Sequence, residues 1–281
     1  MYWSWIAPVL TRDPAPVLHQ GSFHMAIDES IESISLRRSG GAQRSSSRSW
    51  FYVAMGAVAV GIVIIGFGPG LAFSPTQRHG PPTKDVLLHS LLAAMWLALF
   101  VTQSLLVHGG STRVHRRLGW IGIPLAIAVV ASGYAMTIAQ GRRGFALWWG
   151  PDLKFDSLAE LVHPLGDLLT FSLLVTAALI CRRRSDVHKR LMLLATVGSM
   201  MAAPLVHLIS YFPALRAVPP VILLPLALLY FSSAIHDRLT LGRIHPVSKW
   251  VGLSLFVFAM LRAGLIGPSA TWHQFAGWLI G

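Results

Sequence analysis

The chain has 281 residues, 54% of them hydrophobic and only 12% charged, with a formal net charge of +12. So much apolar sequence with so little charge excludes a soluble enzyme and points to a polytopic membrane protein. Cys181 is the only cysteine, which excludes an intrachain disulfide and a cysteine-held cluster.

The first 49 residues, rich in Ser, Arg and Gly from Ser33 onward, are too polar to pack a core and are predicted to form a disordered basic arm. Arg37-Arg38 ahead of an apolar run resembles a twin-arginine export signal. The run starts well downstream and is longer than a signal's apolar core, so it reads as a membrane span. Met25 is an alternative start to Met1.

Seven apolar stretches follow, near 50–69, 85–108, 118–139, 158–181, 190–211, 217–235 and 249–266. Each is long enough to cross a hydrocarbon core of about 30 Å as a helix. The runs are continuous rather than alternating, which argues against a closed barrel. Pro204, Pro213, Pro219, Pro220 and Pro225 blur the ends of the later ones. The expected fold is an all-α bundle of seven transmembrane helices over 50–281.

The basic residues follow the loops. Sixteen of the twenty-three lie before the first span or after the second, fourth and sixth, with Arg113, Arg116 and Arg117, then Arg182 to Arg184 with Lys189 and Arg190, among them. That alternation predicts a cytoplasmic N-terminus and an external C-terminus. Because the charge is not gathered in one patch, nucleic acid is not an expected partner; the lipid bilayer is.

Within the spans a pattern occurs twice. One copy opens L-H-S-L at His89 and closes R-V-H-R-R-L at His115; the other opens V-H-P-L at His163 and closes D-V-H-K-R-L at His188, so the internal spacings are 26 and 25 residues. The match predicts an internal repeat, 85–139 and 158–211, forming a central four-helix unit with a pseudo-two-fold axis along the membrane normal.

Ionisable side chains in a bilayer are costly and tend to face the bundle interior. Depth sorts them into an outer layer of His89, His163, His207, Tyr134 and Arg262, and an inner layer of His115 and His188 with His108, His236 and His245 at similar depth. His89, Trp96 and Gln103 recur at seven-residue steps and share one side of their helix. His163, Asp167 and Thr170 share a side of theirs, and Asp167 is predicted to orient the His163 ring by accepting its N–H.

The geometry so expected places His89 and His163 as axial ligands of a b-type haem iron, with His115 and His188 as an inner pair. Tyr134, Asp167, His207 and Arg262 would tune or contact the cofactor, Arg262 being suited to a propionate. The activity implied is membrane electron transfer with a quinone or a redox partner.

Other readings of the same residues remain open. Interior histidines serve as hydrogen-bonded packing elements, or His89, His163 and His207 hold zinc or copper. A transporter, assembly factor or structural subunit would use the histidines as a proton-responsive polar interior. His108, His236 and His245 read as solvated. Trp149, Trp272 and Trp278 read as interfacial belt residues.

Several strings carry a resemblance: L-H-x-x-L-x-x-x-W at His89 and Trp96, H-R-R-L-G-W from His115, H-K-R-L-M-L-L-A-T from His188 to Thr196, H-D-R at His236, G-R-I-H-P ending at Pro246, and W-H-Q-F-A-G-W-L from Trp272. With these, about four-fifths of the chain resembles a family of bacterial seven-span membrane proteins of unknown function. The resemblance implies the bacterial cytoplasmic membrane. The helix-pair layout also resembles that of the ascorbate-reducible transmembrane b-type cytochromes, whose four-helix core holds a bis-histidine haem near each face, and of small helical factors of cytochrome oxidase assembly. In such cytochromes the ligands lie within spans, whereas His115 and His188 are predicted at span edges.

Overall fold

The computed structural model describes residues 50–68, 82–145, 156–210 and 220–281, the side chains of 209, 210 and 220–222 apart. The predicted arm over 1–49, Trp149, Pro213 and Pro219 lie outside the described residues. Among those described, every regular element is helical and no strand occurs.

Eight helices are described. They are α1 (Trp50–Gly68), α2 (Lys84–His108), α3 (Thr112–Arg142), α4 (Ser157–Ile180), α5 (Ser185–Leu208), α6 (Pro220–Leu241), α7 (Pro246–Ile266) and α8 (Ala270–Ile280). Six of them, α1 to α5 and α7, are long and apolar enough to cross a membrane. The stretch predicted as the sixth span, 217–235, falls on α6, which carries Pro225 in its interior. Large apolar side chains such as Ile64, Leu91, Ile127, Leu173, Ile180 and Leu239 are exposed on the bundle. That surface suits lipid and not water.

Two elements begin earlier than predicted. Helix α3 starts at Thr112 and α5 at Ser185, so His115 and His188 lie in the first turn of these helices and not before them. The basic residues around them are poor in hydropathy, which hid the helical turns, yet a helix entry at a membrane surface accommodates Arg and Lys readily. The C-terminal helix α8 was not anticipated as a separate element. It is set off by Gly267 and Pro268, and Ser269 caps it by accepting the Trp272 N–H.

Helix α5 is the centre of the bundle, with 61% of its apolar window buried against 17–28% for the other five candidate spans. It meets one core made with α1, α2, α6 and α7, through Leu193, Leu194, Val197 and Met201, and a second made with α2, α3 and α4, where Ala195 faces Trp96, Val129 and Phe171. Close approach is made possible by glycine. A Cβ on Gly66 would sit 2.4 Å from the Pro204 carbonyl oxygen, and one on Gly252 would sit 2.7 Å from that of Tyr230.

Side-chain pairs define the two ends. At one, here the basic end, Phe51 stacks on His236, Arg182 lies over Trp120, and His245 bonds Asp186 at 3.2 Å. At the other, the far end, Arg143 pairs with Asp85 at 2.6 Å and Arg142 donates to the Ile280 carbonyl at 2.7 Å. His236 and His245, predicted to be solvated, instead make specific contacts, His245 also capping α7 by accepting the Val247 N–H.

Candidate functional site

The middle of the bundle is tied by one bond between two of the strings noted above. Trp96 on α2 donates its indole N–H to the Thr196 hydroxyl on α5 at 3.1 Å, and both residues are buried. Thr196 lies in a π-helical turn, Leu194–Gly198, and its ring partner is packed edge-on against Phe171, 4.9 Å between centroids. A π turn inserts one residue and so re-aims the helix face, a device frequent at functional positions.

At the basic end the imidazoles of His115 and His188 come together, their centroids 6.5 Å apart and their planes 78° from parallel. His188 is anchored by its Nδ1 to the Ala178 carbonyl at 2.8 Å, an N–H donated to the last turns of α4. The Nδ1 of His115 and the Oε1 of Gln103 are both buried with no partner among the described residues.

Beside this pair lies a buried ionic cluster that the sequence reading missed. Arg190 grips Asp237 with both arms of its guanidinium, Nε donating to Oδ2 at 3.0 Å and the terminal Nη2 to Oδ1. Ser248 donates to Asp237 at 2.5 Å and receives Nε of Arg190 at 3.1 Å, and Ser233 bonds Ser248 at 2.9 Å. All four residues are at most 4% exposed. The sequence marks Arg190 as one more basic loop residue; the fold makes it a buried ion-pair partner joining α5, α6 and α7. The signal available was Asp237 itself, an acid next to the apolar run of α6 with Ser232, Ser233 and Ser248 at hand.

Toward the far end, Arg262 sits in the second π turn, Arg262–Ile266, and is 4% exposed. It pairs with Asp167 at 2.7 Å and donates to the His163 carbonyl at 2.6 Å. The predicted bond from His163 to Asp167 is therefore replaced by an ion pair, since a guanidinium in apolar surroundings claims the nearest carboxylate. Arg262 does not extend outward to headgroups. Gly166 makes the pair possible: a Cβ there would lie 2.4 Å from Arg262 Cδ.

His89 bonds Ser132 through Nδ1 at 3.2 Å and is wedged against α3, its Cε1 2.9 Å from where a Cβ on Gly133 would be. Tyr134 is exposed and lines an open, apolar groove of about 390 Å³ between α3 and α4 with Leu165, Leu168 and Ser172. His207 contacts Phe67, 5.1 Å between ring centroids. Among the described residues no three of His, Cys, Asp and Glu converge as a metal site, so the zinc or copper set of His89, His163 and His207 is not assembled.

Helix α8 closes the far end. Ala276 is fully buried against Leu161 and Phe145, Trp272 donates to the Leu158 carbonyl at 2.8 Å, and His273 bonds Asp156 at 2.6 Å. The Asp156 hydrogen bond holds the His273 pKa above its usual value, helped by the Ser269 carbonyl; the same bond holds Asp156 below the carboxylate range. A raised histidine stabilises below its unfolded value and stops doing so as pH rises through the folded one; a lowered carboxylate stops only in acid. Amide hydrogen exchange over 270–280, corrected for intrinsic rate, should thus accelerate as pH rises above the ordinary histidine value of about 6.5 and through the raised one, and His273→Gln should flatten that dependence.

Comparison with protein-family models, with curated proteins and with solved structures finds no match to this chain.

Proposed function

We propose that the chain is a seven-span protein of the bacterial cytoplasmic membrane, built on an internal repeat, that binds b-type haem and takes part in membrane electron transfer. The meeting of His115 and His188 carries this reading. Two imidazoles across one iron, with metal–nitrogen bonds of about 2 Å and the ring radii added, stand roughly 6 Å apart between centroids. The observed 6.5 Å suits that span. The Ala178 carbonyl fixes the His188 tautomer, leaving Nε2 as the donor atom, the arrangement common to ligand histidines. His89, with Nδ1 committed to Ser132, is held in the same manner, and with His163 forms the proposed outer pair.

Bound haem supplies reversible one-electron transfer. The chain's own residues hold and orient the imidazoles, exclude water through the apolar bundle, and provide Arg262 as a cation near the far layer. Fourteen residues of helix separate His89 from Gln103, the α2 residue whose main chain meets the His115 ring, so at 1.5 Å per residue the two histidine layers are about 21 Å apart. That spacing suits transfer from one membrane face to the other, with a quinone or a redox protein as partner.

Protein purified from membranes is expected to show a dithionite-reduced minus oxidised spectrum of b type, lost by half or more in His115→Ala and His188→Ala. A colourless protein would overturn the proposal. The buried Arg262, paired with Asp167, favours a second reading in that event, a transporter or assembly factor with a polar interior.

A further inference from the structure

Among the described residues, the half of the bundle that holds the basic end carries eleven Lys and Arg against two carboxylates, Asp186 and Asp237, whereas the far half carries four against four. Orientation in a membrane needs cations on one side, but it does not need them to meet. Here they meet. Arg113, Arg116 and Arg117 open α3, and Trp120 lies seven, four and three residues beyond them, on the same side of the helix. Arg182, from the turn between α4 and α5, reaches across and stands over the Trp120 ring, 5.3 Å from its centroid. All four guanidiniums are exposed, as is the ring at 61%, and none of the four is paired with a carboxylate among the described residues. Like charges one turn apart repel, and a fourth cation brought in from a second hairpin adds to the repulsion, so the cluster is suited to an anion. Guanidiniums take phosphate in particular, through paired N–H donors that match its oxygens.

Below the cluster the surface of α3 and α4 is apolar. Ile127 and Ala131 continue the Trp120 side of α3, and Ile180, Leu173 and Leu169 form an exposed strip on α4. Both strips lead to the open groove of about 390 Å³, whose wall nearest the basic end is Val130 and Ser172. Val130 is ten residues from Trp120 and Ser172 ten from Arg182, which is about 15 Å along either helix. Half of a hydrocarbon core of about 30 Å has the same depth, so a chain hung from the cluster ends in the groove. We propose that this face of α3 and α4 binds one acidic phospholipid, its phosphate held by the guanidiniums around Trp120 and an acyl chain lying along the two strips into the groove. A zwitterionic headgroup fits less well, since it brings its own cation against the four arginines. The site does not depend on haem.

In full-length protein held in a neutral detergent, native mass spectra are expected to show one tightly bound phosphatidylglycerol, with an affinity about tenfold or more above that of phosphatidylcholine carrying the same chains. Arg116→Gln with Arg182→Gln should remove that preference. Arg238→Gln with Arg243→Gln takes the same charge from the same end, on α6 and the turn after it, and should leave the preference intact. Ala131→Trp, which fills the groove, should weaken long-chain phosphatidylglycerol about tenfold and leave a short-chain analogue unaffected. Equal binding of the two headgroups by the wild type would overturn the proposal. So would an equal loss in the two double variants, which would reduce the effect to overall charge, or displacement of the lipid by inorganic phosphate at the same concentration, which would assign the cluster to a soluble anion. The substituted side chains are exposed, and equal thermal midpoints in lipid-free detergent verify folding; where one shifts, Arg117→Gln with Arg182→Gln carries the same expectation.

Discussion

Asp237→Ala is expected to destabilise the protein by about 3–5 kcal/mol, because it strands the buried Arg190 guanidinium without its carboxylate. The same substitution removes the acceptor for Ser248 and for the His245 main-chain N–H, 3.3 Å from Oδ2. Three helices are pinned at this point, so the loss falls on the packing of α5, α6 and α7 together. Replacing both members, Arg190→Met with Asp237→Leu, should cost much less than either single change, since no charge is then left buried. Thermal unfolding in detergent, followed by near-ultraviolet circular dichroism, checks both results. A double variant as unstable as Asp237→Ala would show that the ion pair itself, and not the stranded charge, supports the fold.

Gly166→Ala should destabilise the bundle severely. Its Cβ would lie 2.4 Å from Cδ and 2.5 Å from a terminal nitrogen of Arg262, far inside contact distance. Relief requires the guanidinium to move, and any movement weakens its hold on Asp167 and on the His163 carbonyl. Overpacking costs about 1–3 kcal/mol, and weakening the ion pair of the buried Arg262 adds to it, so a total of about 3 kcal/mol or more is expected. Gly61→Ala is the control. No atom lies within 4 Å of its added Cβ, and an alanine in a helix interior is preferred over glycine by roughly 1 kcal/mol. Equal thermal midpoints for the two variants would refute the steric account.

Much of the architecture could be read from the residues. Long continuous apolar runs leave helices as the only open solution in lipid, and the starts and ends of α1, α2 and α4 fall within one or two residues of expectation. The helix entries at Thr112 and Ser185 were less legible, since basic turns at a membrane surface depress hydropathy without breaking the helix. The site was legible in part. Histidine spacing identified His115 and His188 as related positions, and the fold brings their rings together. Arg262 and Asp167 were both singled out, but their mutual pairing was not, because the partner lies 95 residues away along the chain.

Sequence alone determined that this is a multi-pass helical membrane protein, since apolar length and scarce charge are properties of the chain that no tertiary contact alters. Which polar groups face one another was decided only by the tertiary structure. Arg190 reads identically to its exposed neighbours Arg182, Arg183 and Arg184 until α6 and α7 bring Asp237 and Ser248 against it. Burial then converts a loop charge into the centre of a hydrogen-bonded cluster, because a guanidinium removed from water must find its partners within the protein.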